Sequence, residues 1–211
     1  MSLWSSRIDL VAFDVPFPAD YGGVIDVFYK LKALYEAGWA VHLHCFVYNR
    51  QPSPELERYC RQVYYYPRKR LCNPISGKLP YITSSRAHHR LLENLRDGQG
   101  PIVFEGLHTA FFGEHPDLAH RERILRMHNI EHIYYRHLAR VEDHPFRRWF
   151  FVREAKRLQQ YEPVCEGFDR IAALSRSDHH RFQLKYGRSA YVPVFHPHTS
   201  VAQPVHHYGK Y

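Results

Sequence analysis

Val15-Pro16-Phe17-Pro18-Ala19-Asp20-Tyr21-Gly22-Gly23-Val24 is the stretch that decides how this chain is read. The apolar run directly before it, Ile8 to Phe13, has the character of a buried first strand. Directly after it, Val24, Val27, Phe28, Leu31, Leu34 and Tyr35 recur at helical spacing, and Gly38 ends the pattern. A strand, a Pro- and Gly-bearing turn and a helix start together aim backbone N–H groups at a phosphate. The stretch is not the dinucleotide fingerprint GxGxxG, and no Lys-Ser/Thr follows the glycines as a P-loop requires. The plain alternative is a tight turn in which the glycines serve chain geometry alone.

The same alternation continues outward. Trp39 to Val47 alternates Val41, Leu43, Cys45 and Val47 with His42 and His44, which predicts a strand with one polar-tinged face. Pro52-Ser53-Pro54 opens a short helical piece, Gln62 to Tyr66 reads as a third strand, and Pro67 to Pro80 as a loop. Ser84 or Ser85 can cap a helix carrying Ala87, Leu91, Leu92 and Leu95, stopped by Gly98 and Gly100. Pro101 to Glu105 and Arg123 to Met127 read as strands, and Asn129 as an N-cap with Glu131 at the positive end of its helix. A longer helix starts at Asp143-His144-Pro145 and runs to about Glu162. Arg170 to Leu174 is a further strand, Ser175 to Asp178 resembles a capping box, and Gly187 stops the next helix before a last strand at Ala190 to Val194. The expected fold is a Rossmann-like three-layer α/β/α domain with a mainly parallel sheet of about seven strands and right-handed crossovers. Gly22-Gly23, His108 and His128-Asn129 all follow strands, so they are expected on one sheet edge, where ligands of such sheets bind.

Composition bounds the function. The net charge of +8 favours a negatively charged partner such as a phosphorylated substrate or an anionic membrane surface. Nucleic acid is not expected, since no helix-turn-helix, RRM or zinc-finger pattern is present. The four cysteines are scattered without a CxxC pair, which argues against disulfides and zinc and for a reducing cytoplasm. Among the 17 histidines no HExxH occurs, and adjacent pairs such as His88-His89 do not share a helix face, so no metal site is expected. Most of the histidines are expected at the surface or at strand ends. Two basic-aromatic stretches qualify as contact surfaces: Tyr64 to Arg70 for phosphate, and Phe146 to Arg153 for a peripheral membrane contact. The second reads first as a core helix with a solvated basic face.

Three stretches also carry a family pattern: Pro16 to Gly23 with Ala37 to His42 after the helix, Arg126 to Tyr135, and Glu162 with Phe168 to Asp178. In order and spacing the chain resembles the N-terminal half of a GT-B glycosyltransferase of the group 1, or family 4, class. The resemblance implies an acceptor-binding domain over 1–195 and a linker stub over 196–211 leading to a C-terminal domain that holds the nucleotide-sugar. It implies a retaining enzyme that needs no metal or other cofactor, with the nucleotide-sugar as substrate and a glycan or lipid-linked molecule as acceptor. Gly22 and Gly23 would approach the donor phosphate, and His128, Asn129 and Glu131 would face the acceptor. The catalytic position would be His108 or Glu105. By itself the chain is expected to be inactive. A non-catalytic flavodoxin-like binding or regulatory domain is the competing reading.

Overall fold

Seven strands form one sheet in the order β3-β2-β1-β4-β5-β6-β7 in a computed structural model that describes residues 6–69 and 77–198. They are β1 (Ser6–Ala12), β2 (Trp39–Val47), β3 (Gln62–Pro67), β4 (Ile102–Glu105), β5 (Arg123–Met127), β6 (Arg170–Ala173) and β7 (Ser189–Tyr191). Every neighbouring pair is parallel. β1 pairs with β2 on one side and β4 on the other, so the winding reverses between β1 and β4, and a crevice opens beyond their carboxyl ends.

The helices are α1 (Gly22–Glu36), α2 (Tyr81–Ser84), α3 (His89–Arg96), α4 (Glu131–Val141), α5 (Pro145–Tyr161) and α6 (Arg176–Tyr186). Successive strand residues point to opposite faces, and the core divides accordingly. Leu10, Val41 and Leu43 pack with Val27, Phe28 and Leu31 of α1 on one face. Val11, Phe104 and Leu125 pack with Leu91 and Leu95 of α3, Leu158 of α5 and Phe182 of α6 on the other. This is the expected three-layer arrangement.

Local signals hold where a terminus is set by short-range chemistry. Gly38 and Gly187 adopt left-handed φ of 82° and 68° directly after α1 and α6, a conformation that costs glycine little. Ser175 Oγ accepts from the N–H of Asp178 at 3.0 Å, as a capping box requires. Pro145 opens α5.

Five expectations need correction. Neither Ser84 nor Ser85 caps α3: Ser84 ends the separate one-turn α2, Ser85 follows it, and extended His88 is the N-cap of α3, leaving Ala87 outside. Ile130, not Asn129, is the N-cap of α4, with no side-chain cap. β2 lies inside the sheet, and His44 on its polar-tinged face is fully buried rather than at the surface or a strand end. Gly22 and Gly23 form the first turn of α1 rather than a loop, and neither has a positive φ. The last strand spans Ser189–Tyr191 and so starts a residue early and stops short of Val194. Arg70 of the basic-aromatic stretch, Cys72 and the expected linker stub beyond His198 lie outside the described residues.

Candidate functional site at the carboxyl edge of the sheet

The switch point between β1 and β4 carries a cavity of about 450 Å³. Phe13, Tyr21, Gly22 and Gly23 line it after β1, His108 after β4, and His128, Asn129 and Glu131 after β5. Tyr134 and Tyr135 of α4 form a further wall. Six of the seven residues singled out in the sequence therefore meet in one cleft. The seventh, Glu105, lies beneath it.

The α1 terminus supplies donors. Ile25 N–H bonds Tyr21 C=O at 2.9 Å, and no side chain caps Tyr21. The N–H groups of Gly22, Gly23 and Val24 precede the first intrahelical bond, and they sit at the positive end of a 15-residue helix. Gly23 has a packing reason as well. A Cβ there would stand 2.7 Å from Cζ of Phe13. That ring packs against His108 and His128, with ring centroids 5.4 Å away in each case. Phe13 thus spaces the two histidines, a role that its position at a strand end did not suggest.

Glu105 is fully buried and fully engaged. Its Oε1 accepts from Lys30 Nζ at 2.6 Å, and its Oε2 pairs with His128 Nε2 at 2.8 Å. Burial alone would raise its pKa, but the charges and hydrogen bonds of Lys30 and His128 hold it below the ordinary value. Glu105 therefore fixes the imidazole and leaves His128 Nδ1 for the cleft. Lys30 also bonds Asp26 at 3.1 Å, and Arg126 holds Asp26 through Nη2 at 2.9 Å. Against the opposing effect of burial these cations keep Asp26 at about 2. Ligand atoms of Asp26, Glu105 and His128 lie within 4.8 Å of one another. Lys30 and Arg126 already supply the positive charge between these carboxylates, so the cluster does not fit a resident metal ion.

A second pair is held differently. Glu131 is only 2% exposed, and its Oε1 has no hydrogen-bond partner. Nδ1 of His108 stands 4.0 Å away and is also unpartnered. Burial pushes the Glu131 carboxyl up to about 7 against the pull of Arg86. Burial likewise pushes the His108 imidazolium well below its ordinary range, reinforced by Arg86 and His128. Arg86 is itself buried, donating to Phe13 C=O at 2.8 Å and Ile82 C=O at 2.7 Å, and burial lowers it to about 9. At 4.0 Å, Glu131 Oε1 and His108 Nδ1 face each other across a gap too long for a direct hydrogen bond. Unmet buried groups of this kind are costly unless a ligand or water satisfies them.

Sequence reading missed Phe13, Asp26, Lys30, Arg86 and Arg126. The one usable signal was Asp26 and Lys30, a charged i,i+4 pair beside the apolar stripe of α1.

No family model matches the chain. It is 25% identical over 202 residues to an uncharacterised 44.6 kDa protein in the cps region of Klebsiella pneumoniae, covering 91% of this chain and 51% of that protein. Among solved structures it resembles UGT2 of Phytolacca americana, complexed with UDP-2fluoro-glucose and pterostilbene. The TM-score is 0.50 at 11% identity, over 90% of this chain and 53% of that one. A UDP-glucosyltransferase from Polygonum tinctorium lies further off, with a TM-score of 0.45 at 10% identity, over 95% and 55% of the two chains. The UGT2 likeness establishes the Rossmann-like fold, and the chain spans about half the length of each of these proteins. Among the described residues no helix is long and apolar enough to cross a membrane.

Proposed function

We propose that this chain is the acceptor-side half of a retaining GT-B glycosyltransferase. The partner half, in the remainder of a longer protein, would bind the nucleotide-sugar, and the acceptor would be a glycan or a lipid-linked molecule. One observation carries the reading: a helix N-terminus with free N–H groups and a set of unmatched hydroxyl-binding side chains share one cleft at the switch point.

Each part has a task in sugar transfer. The bond from the anomeric carbon to the diphosphate oxygen breaks, and the electron pair leaves with the nucleotide. The acceptor oxygen bonds the anomeric carbon, and its proton passes to the departing phosphate. The N–H groups of Gly22, Gly23 and Val24 would meet the charge growing on that phosphate. His128 Nδ1 and the Asn129 amide can each donate or accept, which suits sugar hydroxyls. Glu131 and His108 would grip one further hydroxyl between them. Glu105 would act as a positioning residue through His128, leaving His108 as the group that meets substrate. No metal or other cofactor is assigned a part. The relative's place in a cps region and UGT2's complex with a UDP-sugar analogue are in keeping with this reading.

The test is acceptor-dependent nucleotide release by the full-length protein over a panel of nucleotide-sugars, with the anomeric configuration of the product read by NMR. Release with retention supports the proposal, and release with inversion removes its retaining part. Saturable binding without release would instead indicate the flavodoxin-like binding domain. Residues 1–211 alone are expected not to turn over, and robust transfer by them would place the donor site within this chain.

A further inference from the structure

The helical hairpin of α4 and α5 carries an apolar stripe on the wrong side for a core. Phe146, Trp149 and Val152 recur at i, i+3 and i+6 and are 62%, 41% and 57% exposed. Phe146 and Trp149 stack, with ring centroids 5.7 Å apart. The buried face of α5 begins only at Glu154, Ala155 and Leu158, so the first two turns stand clear of the sheet. Val141, at the end of α4, is also exposed.

Cations border this stripe. Arg140, Arg147, Arg148 and Lys156 are exposed around it, and Arg153 lies over the Trp149 ring at 5.5 Å. Acidic groups on the exposed part of the hairpin are confined to Glu142 and Asp143 in the turn. Exposed aromatic and aliphatic groups ringed by arginine match the headgroup region of an anionic bilayer, where Trp sits at the interface and arginines meet phosphates. The net charge of +8 favours the same partner.

The hairpin is also a wall of the cleft. Tyr134 and Tyr135 of α4 line the cavity, and Tyr135 packs on Phe151 of α5 with ring centroids 5.9 Å apart. One helix pair therefore lines the cavity with α4 and carries the exposed apolar stripe on α5.

We propose that the α4–α5 hairpin docks on an anionic membrane surface, seating Phe146, Trp149 and Val152 among the headgroups. The docked hairpin presents the cleft to a substrate anchored in the same leaflet. That consequence, a lipid-linked rather than a soluble acceptor, rests on the transferase reading; the docking itself does not.

The test is co-sedimentation of the full-length protein with vesicles of phosphatidylcholine alone and of equimolar phosphatidylcholine and phosphatidylglycerol. The protein is expected to partition onto the anionic vesicles at low salt and to be released by high salt. Phe146→Ser with Trp149→Ser should weaken partitioning by at least about tenfold with the melting temperature unchanged, since both side chains face solvent. Arg147→Glu with Arg148→Glu should abolish the preference for anionic lipid. Absence of wild-type binding at low salt, or equal binding by the serine variant, would overturn the proposal. So would a concentration-dependent dimer that the serine variant loses, since the face would then belong to a second copy. Vesicle binding without sugar transfer would count against the transferase reading and leave the docking intact.

Discussion

Two groups of buried charge lie within this sheet, and they are finished to different degrees. Toward the amino end of β4, Asp9 accepts from Arg7 at 2.8 and 2.9 Å, from Arg121 at 2.5 Å and from His44 Nε2 at 3.0 Å. His44 Nδ1 accepts a hydrogen bond from the Tyr66 hydroxyl at 2.8 Å, and Tyr66 Oη accepts from Asn94 at 2.8 Å. The directions agree throughout for a neutral imidazole, which burial also favours at His44 against the pull of Asp9. At the carboxyl edge, His128 and Glu105 are paired, but Glu131 Oε1 and His108 Nδ1 are not. A closed network holds the strands together. An open one, lining a cavity, is ready for hydrogen bonds from outside the chain.

The widest separation between the regions is expected from Asp9→Ala. It strands Arg121 and Arg7 without their carboxylate and should cost about 3–5 kcal/mol in urea unfolding. A loss below about 1 kcal/mol would show that the closed network is not what ties β1 to the loop before β5.

His128→Ala should do the reverse in the full-length protein. Transfer should fall about 10²–10³-fold, the scale on which one aligned hydrogen-bonding group acts in a transition state. Stability should fall by a smaller amount than in Asp9→Ala, about 1–3 kcal/mol, because Glu105 Oε2 loses its partner while Oε1 keeps Lys30. Unchanged turnover would remove His128 from the acceptor side.

Glu131→Gln sharpens the contrast through pH. The folded-state value of about 7 lies above the ordinary 4.5, so the folded protein keeps this proton where the unfolded chain has lost it. The stability that Glu131 contributes is full below pH 4.5 and is lost as pH rises through 7. The variant does not titrate there, so it should match wild type at pH 4 and exceed it at pH 8 by on the order of 3 kcal/mol. An advantage of the same size at both pH values would mean that the carboxyl is not held in a desolvated, unpaired state.

Gly23→Ala should have the smallest effect. The new Cβ meets the Phe13 ring at 2.7 Å, and that ring must turn away from the histidines. Stability should change by no more than about 1 kcal/mol, while transfer falls about tenfold, a loss of about 1.4 kcal/mol in transition-state binding. Wild-type turnover would leave the glycine pair with the helix start alone.

The contrast also marks what a sequence can disclose. β1, α1 and the stops at Gly38 and Gly187 were legible because each is set by a local period or a single backbone requirement. The site residues were legible as positions, since each follows a strand and parallel topology gathers strand ends. Their partners were not. Asp9 meets Arg121, and Asp26 meets Arg126, across 112 and 100 residues, and no local pattern records such pairings. The partner of His44 was hidden because a polar-tinged face reads the same whether it is solvated or, as here, finds a buried carboxylate. Asn129 looked like a cap because its type suits one, yet the backbone turns into α4 one residue later.

The most direct test is a ¹³C NMR titration of side-chain carboxyls in one sample of the full-length protein, following Asp9 and Glu131 together. The expected result is a Glu131 carboxyl titrating near 7 and an Asp9 carboxyl still ionised well below the usual carboxylate range, with the Glu131 midpoint moving when a sugar acceptor is added. A Glu131 carboxyl titrating at its ordinary value of 4.5 and unmoved by acceptor would contradict the claim that this edge holds a binding site open.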